Sequence, residues 1–226
     1  KINKGYINVC LRALCSSGFL KNENNNYIAN KKNIEILSKF SFEIQDFVKL
    51  LNYYKKFPTL IEKSDSDNSK YIKLIKLCHN HLILIKTKLD IENDKKHFFI
   101  YNYIEGVFLG PIISYLAFTN KSEYLNEKMG DLSNIFIDIF IKEGYLHTNQ
   151  KQLTHKGSFF FKRSSSYGVT VSYLETFIRL DELLYKKNYF IWERDENGYE
   201  LHVNRFMNVW GSGGAHRFYF KKIDDI

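Results

Sequence analysis

The sequence predicts a mainly α-helical protein with small β hairpins, organised as two winged-helix-like units joined by helices. Apolar residues recur at helical spacing along most of the chain. A glycine–aromatic–leucine string follows a predicted helix twice, and each time a polar turn and a short apolar strand come next. The chain has 226 residues, 44% of them hydrophobic, which is enough to bury a substantial core.

The first unit is predicted at residues 1–60. Apolar residues at helical spacing over 5–17 predict a helix, and Gly18 stands where a helix C-cap is expected. Two apolar pairs flank a polar turn within 19–28 and predict a short hairpin. A helix, or a broken pair of helices, is predicted over 33–54.

Linking helices are predicted at residues 61–124. The first, over 70–87, places its apolar residues on one face. The second, over 98–118, is strongly apolar and is interrupted at Gly110-Pro111. This pair predicts a kink or a junction between two helices.

The second unit is predicted at residues 125–226, where the N-terminal pattern returns. An apolar helical face leads to Gly144-Tyr145-Leu146, a polar turn and Leu153. When Leu20 is aligned with Leu146, Tyr27 and Leu153 fall at the same offset, which indicates a weak internal repeat. The alternative is a chance match of three residues.

The rest of the second unit is predicted to contain a further helix, a hairpin and a glycine-rich segment. Residues 172–186 have the pattern of an amphipathic helix. Residues 190–203 flank turn residues and predict a hairpin. The glycine-rich segment at 208–216 precedes a predicted final helix over 219–226.

Charge and cysteine content indicate a soluble cytoplasmic protein. Cys10, Cys15 and Cys78 form no CxxC motif, and an odd number of cysteines is typical of a reducing compartment. No apolar run approaches the roughly 20 residues of a membrane span. The net charge of +8 permits contact with nucleic acid, but the basic residues are spread along the chain, as on an ordinary solvated surface.

The string Asn208 to His216 is the most unusual in the sequence. Its glycines permit close backbone approach to a ligand, and a loop of this kind can present N–H groups to an anion. The string matches neither a P-loop nor a dinucleotide-binding motif. The alternative is a tight linker between the hairpin and the final helix.

No complete catalytic site is evident in the sequence. His216 is a candidate general base, but His202 and His216 lack metal-ligand spacing, so no metal site is predicted. No Gly-x-Ser-x-Gly nucleophile motif occurs. The basic, hydroxyl-rich string 162–168 can contact a phosphate, or it is an ordinary loop that caps the next helix.

Two stretches resemble parts of known methyltransferases. The helix–glycine–wing unit at 5–28 is similar to the N-terminal winged-helix region of O-methyltransferases, which serves dimerisation and substrate covering. The stretch from 167–173 through 208–216 to 219–224 resembles the segment before the catalytic core in polyketide-synthase-associated S-adenosylmethionine-dependent methyltransferases. The resemblance implies an accessory region without its Rossmann-like core, either part of a larger enzyme or a stand-alone remnant with a binding role.

The resemblance also implies site residues and partners. Substrate contact is expected from aromatic residues of the predicted linking helix, namely Tyr101, Tyr103, Phe108 and Tyr115. The residues expected next to substrate or cofactor are Tyr167, Tyr173, Trp210, Gly211, Ser212, Gly213, Gly214 and His216. Expected partners are the methyltransferase core, an acyl carrier protein and a second copy of the chain. S-adenosylmethionine is expected to bind the full-length enzyme and not this chain alone.

Two other functions remain open from the sequence. Basic residues near both predicted wings favour a winged-helix DNA-binding regulator, but 135–141 is apolar on more than one face, as in a buried helix. The third reading is a helical interaction module that binds no small ligand.

Overall fold

The computed structural model describes residues 2–54, 69–91, 93, 97–119, 130–148, 152–185 and 189–224. These residues are mostly helical and contain one two-stranded antiparallel sheet, which confirms the predicted fold class. The elements are α1 (Lys4–Ser16), β1 (Leu20–Glu23), β2 (Asn26–Ala29), α2 (Lys31–Ser38), α3 (Ser41–Leu51), α4 (Ser69–Lys88), α5 (Phe98–Phe118), α6 (Gly130–Lys142), α7 (His155–Lys162), α8 (Ser164–Ser172), α9 (Leu174–Phe177), α10 (Leu180–Tyr185), a 3₁₀ turn (Tyr189–Trp192) and α11 (Arg205–Asp224).

The first unit has the predicted helix, C-cap and hairpin. The Asn3 side chain accepts hydrogen bonds from the backbone at the start of α1, and Gly18 ends this helix with a φ of +76°. The hairpin turn is tighter than predicted, because Asn24 and Asn25 both adopt positive φ and close it in two residues. The predicted region 33–54 is a broken pair, α2 and α3.

The central helices α4 and α5 form the core together with α3. The predicted inner face of α4 is fully buried at Ile75, Cys78, Leu82 and Ile85. Helix α5 passes through Pro111 as one helix, so the predicted helix-to-helix junction is wrong. Proline removes the N–H that would bond to the carbonyl of Val107. The buried hydroxyl of Tyr54 donates to this carbonyl over 3.4 Å and to that of Phe108 over 2.8 Å.

The second unit repeats the backbone of the first at the helix end. Gly144 ends α6 with a φ of +74°, and Leu146 and Leu153 form an isolated antiparallel bridge. Three hydrogen bonds correspond one to one: Ser17 N to Ala13 O, Gly18 N to Cys15 O and Phe19 N to Leu14 O match Glu143 N to Ile139 O, Gly144 N to Ile141 O and Tyr145 N to Phe140 O. The sequence repeat therefore corresponds to a repeat of the backbone structure at the helix end. Residues 149–151 of its second turn lie outside the described residues.

The predicted single helix over 172–186 is wrong, because α8 ends at Ser172 and the chain then forms two short helices, α9 and α10. The predicted hairpin over 190–203 is reduced to one bridge between Arg194 and Glu200. The Asp195 side chain accepts two backbone N–H groups and closes the turn within this bridge.

The glycine-rich segment 208–216 is helical and lies within α11, so both the predicted loop and the predicted linker are wrong. The string 162–168 is also mostly helical, because α7 ends at Lys162 and α8 begins at Ser164. The predicted unit boundaries near residues 60 and 124 lie outside the described residues and stay a prediction.

Candidate ligand-binding groove

The glycines of α11 allow this helix to cross α8 at very short distance. A Cβ added at Gly211 would lie 2.7 Å from the backbone nitrogen of Val169 and 2.9 Å from the carbonyl oxygen of Ser165. A Cβ at Gly214 would lie 2.5 Å from the Cβ of Ser165. On the facing helix, a Cβ at Gly168 would lie 2.6 Å from the Trp210 ring. Close helix packing therefore accounts for most of the unusual string.

Polar contacts hold the start of α11 against the end of α8. The backbone nitrogen of Asn204 donates to the carbonyl of Ser172 over 2.8 Å, and the Asn208 amide donates to the Ser172 hydroxyl over 3.0 Å. Trp210 packs edge-to-face on Phe118 of α5, with ring centroids 5.5 Å apart. Helix α11 therefore fixes α8 relative to α5.

Three further residues of α11 that are predicted next to substrate or cofactor lie outside the close contact with α8. Ser212 is half-buried and Gly213 is exposed, with no atom within 4 Å of an added Cβ. His216 is exposed and has the rings of Tyr219 and Phe220 as neighbours on its own helix. The structure gives His216 no polar partner among the described residues, and its catalytic role stays a prediction.

An apolar groove of about 410 Å³ lies between α5 and the pair α8–α9. The α5 wall includes Gly106, Val107 and Gly110, and a Cβ at either glycine would meet open space. The opposite wall includes Tyr167 and Thr170 of α8. Leu51, Val171, Leu174 and Phe177 add further apolar surface.

The aromatic residues predicted to contact substrate divide into two groups. Tyr101, Phe108 and Tyr115 are buried in the core. Tyr103 is half exposed and lines the groove, as does Tyr167, whose ring stacks on Phe160 at a centroid distance of 6.0 Å. Tyr173 is not among the lining residues, and its ring lies beside His202.

A polar cluster at the groove joins α5 to the second unit. Glu105 is 6% exposed and lines the groove. Its Oε1 atom accepts hydrogen bonds from the Lys156 ammonium over 2.6 Å and from the Tyr145 hydroxyl over 3.3 Å. The Lys156 ammonium also lies 4.3 Å from the centre of the Tyr145 ring, a cation–π contact.

A second buried carboxylate, Glu143, lies at the end of α6. It accepts hydrogen bonds from His79 over 2.9 Å and from the Tyr101 hydroxyl over 2.8 Å. Burial opposes ionisation of Glu143, but these hydrogen bonds and the charges of His79 and Lys86 outweigh it and lower its pKa. Burial and the two nearby carboxylates, Glu105 and Glu143, raise the pKa of Tyr101, which therefore stays a neutral donor.

Sequence reasoning missed this polar cluster. One signal was available, because Glu105 is the single charged residue of the 21-residue apolar helix α5. A carboxylate in such a helix is expected to be paired or functional. Its partners, Tyr145 and Lys156, follow about 40 and 50 residues later, and no local pattern connects them.

Part of the chain that lines the groove matches a known domain family. Residues 105–187 are similar to the AprA winged helix domain. The matched region begins at Glu105 within α5, includes α6 to α10, and contains most of the groove lining. No curated protein sequence matches the chain significantly.

The groove has the chemistry of a binding site. Its surface is mainly apolar, and its polar groups are a few hydroxyls, an amide and the paired carboxylate of Glu105. Among the described residues, no group of three or more His, Cys, Asp and Glu side chains is arranged to hold a metal ion. The same residues include no helix long and apolar enough to cross a membrane.

Proposed function

We propose that this chain is the accessory lid and substrate-channel region of an S-adenosylmethionine-dependent methyltransferase that acts on carrier-bound acyl or polyketide chains. The observation that carries the proposal is the apolar groove within the winged helix domain. The methyl-transfer part of the proposal rests on the sequence resemblance described above. The groove supports the other part, binding of the apolar chain.

The size and lining of the groove support this role. Its volume of about 410 Å³ lies within the range of roughly 300–1,000 Å³ that is usual for ligand pockets. Burial of a methylene contributes about 0.8 kcal/mol, so eight methylenes contribute roughly 6 kcal/mol before the cost of ordering the chain. A medium-length acyl chain therefore has enough apolar surface to bind here.

The first unit contacts one edge of the groove, as a lid would. The Ser17 hydroxyl lies 2.6 Å from the hydroxyl of Tyr103, which lines the groove. The Phe19 ring packs edge-to-face on the same tyrosine. Movement of α1 and its hairpin would therefore change access to the groove, and closure would exclude water from the bound chain.

A titration calorimetry experiment with dodecanoyl-pantetheine, a mimic of a carrier-bound acyl chain, tests the proposal. The wild-type chain should bind it, and Gly110→Leu should reduce the affinity at least tenfold, because the new side chain occupies the groove. Gly213→Leu is the matched control, since it adds the same side chain at an exposed helix position outside the groove. Equal affinity of the wild type and Gly110→Leu would contradict the proposal.

The cofactor part of the proposal has a separate test. S-adenosylmethionine should bind the full-length enzyme in calorimetry and give no heat with residues 1–226 alone. Binding to the isolated chain with micromolar affinity would show that the cofactor site lies here and not in a separate core.

The net charge of +8 favours the alternative of a DNA-binding regulator. Helix α6, however, buries Phe136 and Phe140 completely, and on its exposed side Asp138 and Lys142 pair with each other over 2.8 Å. A helix that reads the major groove needs an exposed polar face with free donors. Gel-shift measurements at increasing salt should show only weak duplex binding. Tight binding with a steep salt dependence would favour the regulator.

A further inference from the structure

We propose that Glu105 makes the groove selective for acyl chains that carry a neutral hydrogen-bond donor, a hydroxyl group, along their length. This inference rests on the proposed function, because it names the substrate class of the same groove. It adds a residue that determines specificity and a chemical feature of the ligand.

Both hydrogen bonds that the described residues make to Glu105 fall on the same oxygen. Oε1 accepts both the Lys156 ammonium and the Tyr145 hydroxyl, whereas Oε2 has no hydrogen-bond donor within the described part of the chain. The residue is more than nine-tenths buried and lines the groove. A carboxylate oxygen on a mainly apolar groove wall gains from a donor that the ligand brings, because hydrogen bonds to a charged group are among the stronger ones.

The charge of the site favours a neutral donor. The ammonium of Lys156 lies 2.6 Å from Glu105 Oε1, so the carboxylate already has its counter-charge. A ligand ammonium would add a second positive charge beside Lys156 and lose its own hydration on entering an apolar groove. A hydroxyl donates a hydrogen bond to Oε2 without this penalty.

The position of Glu105 indicates where the donor lies. On α5, Glu105 lies near Asn102 and Tyr103, at the more polar end of the groove wall. The wall then continues along Val107 and Gly110 to Ile113, about 12 Å further at 1.5 Å per residue. A bound chain therefore places its hydroxyl near one end of the groove and several unsubstituted carbons along the apolar wall.

The test compares the affinity for dodecanoyl-pantetheine with the affinities for its thioester analogues that are hydroxylated at C3, C5 or C7. A further analogue carries an amine at the preferred position. Wild-type protein should bind at least one hydroxylated ester about tenfold more tightly than the saturated ester, as expected for a hydrogen bond to a charged group. The amine should bind more weakly than the matching alcohol. Equal binding of saturated and hydroxylated esters, or preference for the amine, overturns the inference and leaves the proposed function intact. No binding of any ester overturns the proposed function itself.

Variants locate the selectivity. Glu105→Gln should lose most of the preference for the hydroxylated ester over the saturated one. Lys156→Met removes the counter-charge of Glu105, so it should bind the amine more tightly relative to the alcohol than the wild type does, and it serves as the second variant if Glu105→Gln does not fold. An unchanged ratio would contradict the role of Glu105. Asp138→Asn, an exposed acid outside the groove, should bind every ester as the wild type does. A wild-type preference that persists in Glu105→Gln would show that another residue is responsible.

Discussion

The two winged-helix-like units have the same backbone at their helix ends and very different burial. Helix α1 of the first unit contains no buried residue, and Leu14 is 42% exposed. Its counterpart in the second unit, Phe140, is fully buried on α6, with the rings of Tyr145 and Phe161 as neighbours. Both units end their helix with a glycine at nearly the same positive φ.

This difference indicates that the repeated string specifies the local backbone geometry, whereas the surrounding helices determine whether the motif is buried. In the second unit, the crossing of α8 and α11 and the polar contacts of Glu143 and Glu105 tie the motif into the core beside the groove. In the first unit, the helix end and hairpin contact α5 through Ser17 and Phe19, which meet Tyr103. The second unit is built as part of the groove, and the first borders it.

The largest expected difference is between Phe140→Ala and Leu14→Ala. Loss of the buried phenylalanine should lower the free energy of unfolding by about 3–5 kcal/mol, because it leaves a cavity in the core. Truncation of the exposed leucine should lower the free energy of unfolding by less than about 1 kcal/mol. Urea denaturation monitored by circular dichroism measures both, and similar costs for the two variants would contradict the difference in burial.

The crossing of α8 and α11 should also be sensitive to a single methyl group. Gly211→Ala should destabilise by about 1–3 kcal/mol, since the added Cβ meets backbone atoms that cannot move aside easily. Gly213→Ala, two residues away on the exposed side of the same helix, should stabilise by about 0.5–1 kcal/mol through higher helix propensity. Thermal melts of the two variants should therefore shift in opposite directions, and a shared direction would show that the crossing is not tight.

Substitutions of the two turn glycines should be equal in cost. Gly18→Ala and Gly144→Ala each place a Cβ on a backbone with φ near +75°, and no neighbour lies closer than 3.6 Å at either position. Each should destabilise by about 1–2 kcal/mol from backbone strain alone. Chemical denaturation that gave unequal values would show that burial, and not local geometry, controls the helix end.

The smallest effect concerns pH. Glu143 and Ser17 hold equivalent positions, and each contacts a tyrosine of α5. Because the pKa of Glu143 is lowered in the folded state, the folded protein binds fewer protons there than the unfolded chain as pH falls below the ordinary value of 4.5. The ionised Glu143 side chain therefore stabilises the folded protein above pH 4.5, and this stabilisation is lost as the pH falls below that value.

The stability difference between wild type and Glu143→Gln should shrink as the pH is lowered from 6 to 3 in a series of urea titrations. The difference between wild type and Ser17→Ala should stay constant over the same range, because no acidic group is removed there. A constant difference for Glu143→Gln would show that this carboxylate has an ordinary pKa.

The sequence predicted the parts of the fold that depend on local chemistry. Helical spacing located α1, α4 and α6, and the glycine–aromatic–leucine string located both helix ends. It failed where a distant partner decides the structure. The glycine-rich part of α11 has low helix propensity, and the facing surface of α8 is what stabilises it as a helix.

The candidate site was harder to predict for the same reason. Tyr103 and Tyr167 were expected near substrate, and both line the groove. Pro111 was expected to interrupt α5, but the hydroxyl of Tyr54, more than 50 residues earlier, contacts the carbonyl that proline leaves without a partner. Glu105 gains its partners only when α5 packs against α7 and the segment after α6.

The most direct test of acyl-chain binding in the groove is photo-crosslinking with a dodecanoyl-pantetheine analogue that carries a diazirine on its acyl chain, followed by peptide mass spectrometry. Labelling is expected on the two walls of the groove, within 106–113 of α5 and 167–177 of α8 and α9, and this labelling should be lost in Gly110→Leu but not in Gly213→Leu. Labelling that falls mainly on α1 and the first hairpin, or that persists in Gly110→Leu, would contradict acyl-chain binding in the groove.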